Sequence, residues 1–484
     1  MGFKDFYRTV MKGVKAGMLA MQDNQTLNEA RVISLIHDFN NSSQRKWMLD
    51  GARYFEVDND INNREQDANS KWKANNKLAH AKYHNMVEEK VSYLLSRPYS
   101  LDCDCKDGDP YLENLKKILS KKFQYNLASL GYEASNKGIA WLQVYIDKQG
   151  NFKSLMIPSE QCIPLWKDNS HEELESMVRV YDVMVWEGNR RKQVTNVEVW
   201  TGIDVKYYRL ESQTLIPYSD MNHDENGPVA HYQKDGKWMS WGVVPFIPFK
   251  NNRFEICDLK FVKSLVDAYD MTRSEAANYV EEVKNLIYVL KGYGGADLGE
   301  FMQDLNRFRA IKMDEDGSVD TLTPDMDITA LREHYEQLKR DITEDGQSVN
   351  KDLDKFGSAP SGVALKFMYA ALDLKCNALE VEFKLGFEKL LYFINIYLGE
   401  SQSIIETHEV DIVFNRDMEI NETEVITNCQ NSIGTVSKKT IITNHPWIKD
   451  VEEELKQIEK EQEEEINKLY DDVPTTEDDV DEQE

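Results

Sequence analysis

Apolar residues recur with the period of an α-helix over two long stretches in the second half of the chain. Residues 363–398 contain no proline and form the longer stretch, and residues 329–345 form a shorter one. At about 1.5 Å per residue, the longer stretch predicts a helix roughly 54 Å long. Between them, residues 346–362 carry three glycines, three serines and a proline. Because loops between helices usually have about 2–8 residues, we expect this segment to be functional or disordered.

The pattern of the preceding region predicts an α+β fold. Residues 256–283 form another helical stretch, and residues 285–328 predict a small α/β insert between two helices. Upstream, the period of the apolar positions changes to two, which predicts an antiparallel module. The predicted strands are residues 139–145, 152–157, 177–185, 194–200, 205–210 and 238–249.

Shorter helical patterns lie on both sides of these elements. At the amino-terminal side they cover residues 26–40, 42–49, 75–98 and a helix pair in 111–137. At the carboxyl-terminal side, residues 404–414 predict a strand pair, and helices are predicted at 422–433, 437–443 and 451–470. The tail from residue 474 has no apolar periodicity, so we expect it to be disordered.

Charge argues against a protein that grips DNA. The formal net charge is -27, and residues 449–484 hold 17 acids against 4 lysines. The rest of the chain is only mildly acidic. Bulk attraction for nucleic acid is therefore not expected, and any contact with DNA has to be local or weak.

The first residues form a basic amphipathic pattern. Its apolar residues are Phe3, Phe6, Tyr7, Val10, Met11, Val14 and Met18, and its basic residues are Lys4, Arg8, Lys12 and Lys15. The pattern lacks the apolar core and cleavage site of a signal peptide. The chain contains no run of about 18 apolar residues that would span a membrane. A helix that packs on its own domain or on a neighbouring subunit is favoured over one on a membrane surface.

Cysteine usage fits a reducing compartment better than a disulfide framework, because six cysteines are scattered over a large chain. The six are Cys103, Cys105, Cys162, Cys257, Cys376 and Cys429. The first two, separated by one residue, can ligate a metal or change redox state. No second pair with matching spacing exists, so a plain surface turn is favoured.

One further set of residues has the spacing of a metal site. His80, His84 and Glu88 stand at i, i+4 and i+8, which places them on one face of a predicted helix. An intracellular metal-dependent hydrolase is therefore an alternative function, and a solvated polar stripe is the simpler interpretation. A monomeric adaptor that binds through the acidic tail is a third hypothesis. The neighbours His408 and Glu409 fall inside a predicted strand and would point to opposite faces, so a catalytic pair there is not expected.

Several short sequence segments, taken in their order along the chain, resemble segments of the portal proteins of tailed double-stranded-DNA bacteriophages. The resemblance is to the form found in siphophages of Gram-positive hosts. Residues 76–80 followed by 87–98 resemble the amino-terminal helix of that family, with its Leu-Leu-small-x-Pro ending. Residues 265–274 resemble the first stem helix. The remaining similar segments are residues 289–293 at the entry to the clip, residues 361–366 at the start of the long helix, and residues 444–450 before a glutamate-rich crown helix.

This resemblance implies a portal-like fold: long stem helices, an α/β wing, a small α/β clip and a helical crown. The implied boundaries are the wing 1–255, first stem helix 256–284, clip 285–328, second stem helix 329–345, tunnel loop 346–362, long kinked wing helix 363–398, wing strands 399–425, crown 426–470 and disordered acidic tail 471–484.

The resemblance also implies function, and it implies no enzymatic activity, metal or cofactor. A ring of identical chains, usually a dodecamer, would occupy one capsid vertex of the virion after assembly in the host cytoplasm. Double-stranded DNA would enter and leave through it, held weakly by the tunnel loop. Implied partners are the terminase large subunit, head-completion or adaptor proteins, and scaffolding and major capsid proteins, with no membrane. The implied loop residues are Asn350, Lys351, Asp352, Asp354, Lys355 and Phe356, and the implied clip residues are Lys291, Tyr293, Arg307 and Arg309.

Overall fold

Eleven α-helices and fifteen strands lie within the described part of the chain, which is represented by a computed structural model. The described residues are 27–66, 73–103, 109–218, 229–234, 236–282, 287–291, 299, 318–322, 328–349, 362–402, 408–416, 422–448 and 451–471. They divide into two units. The first contains residues up to 349 and residues 371–417, and the second contains residues 350–370 and 418–484.

Five helices open the first unit. They are α1 (Glu29–Asn40), α2 (Ser43–Phe55), α3 (Lys82–Leu95), α4 (Pro110–Ile118) and α5 (Lys121–Lys137). Side-chain oxygens cap two of the starts, since Asn28 accepts from the amide of Arg31 and Ser42 from that of Arg45. The α5 helix ends at Gly138 in the left-handed conformation, where a Cβ would lie 2.2 Å from the Glu255 carbonyl oxygen.

Two predicted helix boundaries are wrong. The helix predicted at 42–49 continues through Gly51 to Phe55, because this glycine is a packing contact and not a stop. A Cβ at Gly51 would lie 1.9 Å from the carbonyl oxygen of Asn136 on α5. The helix predicted at 75–98 begins only at Lys82, since residues 76–80 use their backbone amides in contacts with another helix.

The strands form antiparallel sheets, as predicted. Their bounds are β1 Ser100–Cys103, β2 Ile139–Ile146, β3 Phe152–Ile157, β4 Cys162–Trp166, β5 Leu174–Glu187, β6 Arg190–Trp200, β7 Asp204–Glu211, β8 Thr214–Pro217, β9 Val229–Ala230, β10 Tyr232–Lys234, β11 Lys237–Met239, β12 Phe246–Lys250, β13 Ile287–Lys291, β14 Ser318–Leu322 and β15 Val410–Val413. The largest sheet has the order β4-β5-β6-β7-β8, with β9 added to β7, and a second has the order β12-β2-β3.

The structure also differs from the strand predictions in several places. The stretch 238–249 forms two strands, because the chain turns inward between them and buries Trp241, which contacts Tyr232 and Phe393. Strands β1, β4, β8, β9 and β10 were not predicted. The pair His408 and Glu409 precedes β15 and does not lie inside a strand, and β15 pairs with the distant β1.

Three long helices complete the first unit. They are α6 (Leu259–Glu282), α7 (Ile328–Asp345) and α8 (Gly362–Gln402), the last of which starts in the second unit. The α8 helix is the predicted long helix, extended at its carboxyl end. It buries Phe383 and Phe387, and Phe383 lies 5.1 Å from Phe249 of β12 between ring centroids. The described parts of the predicted insert between α6 and α7 include β13 and β14, which pair with each other.

The second unit contains three further helices. These are α9 (Glu422–Asn431), α10 (Lys438–Thr443) and α11 (Val451–Asp471), close to the predicted positions. Ser437 caps α10 by accepting from the Thr440 amide at 3.2 Å. Cys429 and Ile442 are buried between α9 and α10, and the thiol of Cys429 lies 3.8 Å from the Ile441 carbonyl oxygen. The coarse α+β prediction is therefore confirmed for the chain as described, with the strands in the first unit and helices in the second.

Candidate functional site

The α6 and α7 helices form an antiparallel hairpin. The Arg273 guanidinium of α6 lies 4.8 Å from the ring centroid of Tyr335 on α7. One turn earlier on α6, Tyr269 lies within the electrostatic influence of Lys339, one turn later on α7. Leu338 and Ile342 are the buried members of α7. Since β13 follows α6 and β14 precedes α7, the β-ribbon continues the hairpin at the end where the two helices are joined.

An extended strap, defined here as residues 76–80, lies along the hairpin helix α6. Three side chains on α6 accept its backbone N–H groups: Asn278 from Asn76 at 2.7 Å, Ser274 from Leu78 at 3.0 Å and Asp270 from His80 at 3.1 Å. The spacings match, since four helical residues advance about 6 Å and two extended residues about 6.6 Å. The strap therefore fixes α6 to the amino-terminal helices.

We expect Ser274→Ala to weaken the strap. The change leaves the amide of Leu78 without its acceptor in a part-buried contact, which costs about 0.5–1.5 kcal/mol. Hydrogen exchange at the Leu78 amide should become at least fivefold faster. A suitable control is Thr272→Ala, because the Thr272 hydroxyl donates to the Ala268 carbonyl within the same helix and does not contact the strap. Equal exchange in both variants would contradict the role of Ser274.

The hairpin base is held by a buried polar network, defined here as Lys90, Asn251, Asp258 and Lys375. The Asp258 carboxylate, just before α6, accepts from Lys90 at 3.0 Å, from Asn251 at 2.8 Å and from Lys375 at 3.2 Å. Lys90 and Asp258 are almost completely buried. Lys375 of α8 also donates to the carbonyl oxygen of Gly346, directly after α7, at 2.9 Å. One lysine therefore bridges the start of the first hairpin helix and the end of the second.

Electrostatics keep the Asp258 carboxylate of this network ionised. Burial by itself would raise the pKa of Asp258, but the ammonium groups of Lys375 and Lys90 and the Asn251 amide lower it to about 2. Because the folded-state pKa is below the ordinary value of 3.8, the stabilisation is present above that pH and is lost as the pH falls toward 2. The Asp258 carboxylate is therefore ionised at neutral pH, whereas burial lowers the pKa of its partner Lys90 below the ordinary value.

The chain leaves α7 through a tightly held turn. The amide of Gln347 donates to the Glu344 carbonyl at 3.1 Å, and that of Ser348 donates to the Thr343 carbonyl at 3.0 Å. With Gln347 at φ +51°, this is the Schellman pattern of helix ending. The next residue, Val349, is buried and donates its amide to the Glu89 carboxylate of α3 at 3.0 Å. Residues 346–349 therefore fix the position at which the chain leaves α7.

Gln347→Gly should stabilise this anchor. A residue with a Cβ is strained in the left-handed conformation, and glycine is the usual residue at this position of a helix ending. We expect the free energy of unfolding to rise by about 0.5–1 kcal/mol, after allowance for the greater freedom of glycine in the unfolded chain. Chemical denaturation measures the change. The reference variant is Gln347→Ala, which keeps the strained φ and should give no gain; an equal gain in both would refute the argument from backbone strain.

The structure does not assemble the predicted metal site. His80 lies before α3, and its Nδ1 is 2.8 Å from a carboxylate oxygen of Asp270. His84 Nδ1 is 2.8 Å from the Phe55 carbonyl oxygen, and Glu88 accepts from the Tyr132 hydroxyl at 2.9 Å. The expectation that all three share a helix face is wrong, because the helix starts later than predicted. Within the described ranges, no group of three or more histidines, cysteines or acids is placed to hold a metal ion.

The cysteines that the structure describes are either buried free thiols or disulfide-bonded. Cys162, Cys257, Cys376 and Cys429 are buried free thiols, whereas Cys103, at the end of β1, is disulfide-bonded. Its predicted turn partner Cys105 lies outside the described residues. Burial raises the pKa of the Cys376 thiol to about 11, so this thiol is uncharged at neutral pH.

Most of the predicted site residues lie outside the described ranges. This applies to all six loop residues, Asn350, Lys351, Asp352, Asp354, Lys355 and Phe356, and to the clip residues Tyr293, Arg307 and Arg309. Lys291 is described and ends β13. The basic amphipathic pattern near the start of the chain also lies outside. Of the helices that the structure does describe, none combines the length and the apolar character needed to cross a membrane.

Sequence analysis missed the network and the strap. Lys90 did leave a signal, since it stands three residues after Val87 and four before Leu94, on the buried face of α3. Asp270, Ser274 and Asn278 recur every four residues along α6, which marks a polar stripe. Neither pattern identifies its partner, because the partners lie far away in the sequence.

Comparison with known proteins agrees with this architecture. The family described as "Phage portal protein, SPP1 Gp6-like" matches residues 37–468. The portal protein of Bacillus phage SPP1 is 30% identical over 426 residues, covering 86% of this chain and 83% of the relative. The portal protein of Clostridium phage phiCD119 is 31% identical over 454 residues, covering 89% of this chain and 96% of the relative.

Because these matches cover most of the chain, they define its class as a structural protein of phages and not an enzyme. The chain belongs to the SPP1 Gp6-like family of phage portal proteins. Its role is therefore that of a portal in the packaging of viral DNA, and both relatives come from phages of Gram-positive hosts. The metal-dependent hydrolase is not supported.

Proposed function

We propose that the α6–α7 hairpin is the channel stem of a portal ring and that residues 346–362 are the tunnel loop that contacts DNA. The observation that carries this proposal is the anchored exit from α7. Because residues 346–349 are held on α3 and α8, the following residues start from a fixed point beside the hairpin base. A loop that must reach a translocating duplex in every subunit needs such a fixed origin.

The loop residues suit a weak and transient contact. Lys351 and Lys355 are balanced by Asp352 and Asp354, while Asn350 and Phe356 add no charge. Each tight phosphate contact would add salt-dependent affinity and slow the passage of DNA. In a chain with net charge -27, a few lysines would keep the duplex centred while the acidic surroundings prevent firm binding.

The β13–β14 ribbon supports the assignment of residues 285–328 as the clip. It lies at the joined end of the hairpin, opposite the buried base. We assign the docking of the terminase large subunit, and later of head-completion or adaptor proteins, to this end of the subunit. Lys291, Tyr293, Arg307 and Arg309 are the proposed contact residues. Their cationic and aromatic side chains are of the types enriched in protein interfaces.

The remaining segments complete the proposed portal. Residues 1–255, 363–398 and 399–425 would form the wing, and residues 426–470 the crown, followed by the acidic tail 471–484. Residues 256–284 and 329–345 would be the stem helices. The wing would meet the scaffolding and major capsid proteins at one vertex of the head, after assembly of the ring in the host cytoplasm.

Assembly state tests this proposal directly. Native mass spectrometry of the purified chain, with negative-stain images of the same sample, should show closed rings of about twelve subunits with a central hole. A ring requires a head-to-tail interface that closes, so a single stoichiometry is expected. If a monomeric sample forms no rings when the scaffolding protein is added, the proposed channel is refuted.

A further inference from the structure

The α8 helix carries apolar side chains on two opposite faces. One face is buried in the first unit through Cys376, Leu379, Phe383 and Phe387. On the other face, Leu374 is 65% exposed, Val381 58%, and Leu385 and Tyr392 each 47%. Single exposed apolar residues are ordinary, but four large ones along one helix face indicate a surface that another element covers.

The exposed row has the spacing of a coiled-coil seam. We define the seam as Leu374, Ala378, Val381, Leu385, Glu388 and Tyr392, all of which are exposed. Their separations are four, three, four, three and four residues, which is the a/d pattern of the heptad repeat. At about 1.5 Å per residue the seam is roughly 27 Å long. Its natural occupant is another amphipathic helix of similar length.

The first residues of the chain repeat the same spacing. Phe3, Tyr7, Val10, Val14, Gly17 and Met21 are separated by four, three, four, three and four residues, so the two rows have the same length and phase. Five of the six are apolar or aromatic side chains. They lie outside the described residues, and before residue 37, where the family match begins.

Charge favours this pairing. Residues 1–21 contain Lys4, Arg8, Lys12 and Lys15 against the single acid Asp5, whereas the chain as a whole is strongly acidic. On α8, the one charged member of the seam is an acid, Glu388. The lysines nearest the seam are engaged elsewhere: Lys384 pairs with Glu380, and Lys389 donates to the Glu172 carbonyl. The cationic helix would therefore meet a surface without competing free ammonium groups.

The position of the start of the described chain favours the same chain as the source of the helix that covers the seam. Leu27, the first described residue, packs against the sheet cluster that Trp166 also contacts. His171 stacks on Trp166 at 4.9 Å, and the neighbouring Glu172 accepts from Lys389 of α8. The start of the described chain therefore packs on the sheet cluster of the first unit, and the seam helix contacts the chain near Trp166 in that unit. A short tether gives a high effective concentration.

We propose that residues 3–21 form a helix that covers the seam on α8 of the same chain. In a cyclic ring the seam cannot pair with its own copy on a neighbour, because contacts between neighbours join different surfaces. The covered seam would remove an exposed apolar row from each subunit before the ring closes. It would also make the amino-terminal segment part of the wing.

Protection of a thiol on the seam tests this proposal. Leu385→Cys is placed in the full chain and in a chain that lacks residues 2–21, and the rate of maleimide labelling at position 385 is measured by mass spectrometry on the monomer fraction. We expect labelling at least tenfold slower in the full chain. Ile203→Cys, at a position that is 72% exposed, should react equally in both.

A second pair of variants avoids the deletion. Val10→Asp should restore fast labelling of Leu385→Cys, whereas Thr9→Asp, one residue away and outside the row, should leave it slow. Equal labelling of the full and shortened monomers would overturn the proposal. Protection that occurs only in assembled rings would assign the seam to a neighbouring copy and would overturn the assignment to the same chain.

Discussion

Deletion of residues 350–358 is expected to leave portal rings intact and to reduce the yield of packaged DNA by at least tenfold. The physical reason is the anchor formed by residues 346–349, which lies upstream of the deletion and keeps its contacts with α3 and α8. The subunit fold should therefore survive while the proposed DNA contact is lost. Ring formation is measured by native mass spectrometry, and packaging by nuclease-protected DNA in heads.

Two matched variants separate charge from length in this experiment. A Gly/Ser replacement of the same nine positions restores length without side chains, and Lys351→Ala with Lys355→Ala removes only the cations. If the lysines touch phosphate, the double variant should reduce the salt dependence of DNA binding by about two counterions. Failure of the deletion variant to form rings would mean that the segment is a structural core element and not a tunnel loop.

Asp258→Ala is expected to cost about 3–5 kcal/mol of unfolding free energy, the largest effect of any single substitution proposed for this chain. The change leaves the buried ammonium groups of Lys90 and Lys375 without their shared carboxylate, and an unpaired buried charge is strongly destabilising. Urea denaturation of the subunit measures the loss from the shift in midpoint. Because the carboxylate adjoins α6, the hairpin should also lose protection from hydrogen exchange.

The Asp258→Ala experiment needs one control for the loss of a charge and another for the interaction between Lys90 and Asp258. Asp38→Ala removes an exposed acid, whose side chain is 72% accessible, and should change stability by less than about 0.5 kcal/mol. Lys90→Met combined with Asp258→Leu removes both buried charges and should be less destabilising than Asp258→Ala alone, which would reveal coupling between the two residues. A loss below about 1 kcal/mol in Asp258→Ala would show that the network does not hold the hairpin base.

The local pattern of apolar and polar residues was sufficient to predict most helices and strands. The α7 helix and strand β3 occur almost where the periodicity placed them, because each has one apolar face and clear boundaries. The order of helices, strand module, hairpin and long helix, together with a few sequence words, was also enough to suggest the portal family, which the comparisons confirm. The prediction of an acidic, weakly DNA-contacting protein came from charge alone.

What tertiary structure decided was which polar residues meet. Asn76, Leu78 and His80 read as part of a helix, yet they are extended because Asn278, Ser274 and Asp270 of a distant helix accept their amides. Lys90 and Asp258 are separated by more than 160 residues, and only folding brings them to 3.0 Å. The period of the apolar positions along a helix or strand shows which of its faces packs against the core. It does not show which other element packs against that face, because that depends on long-range packing.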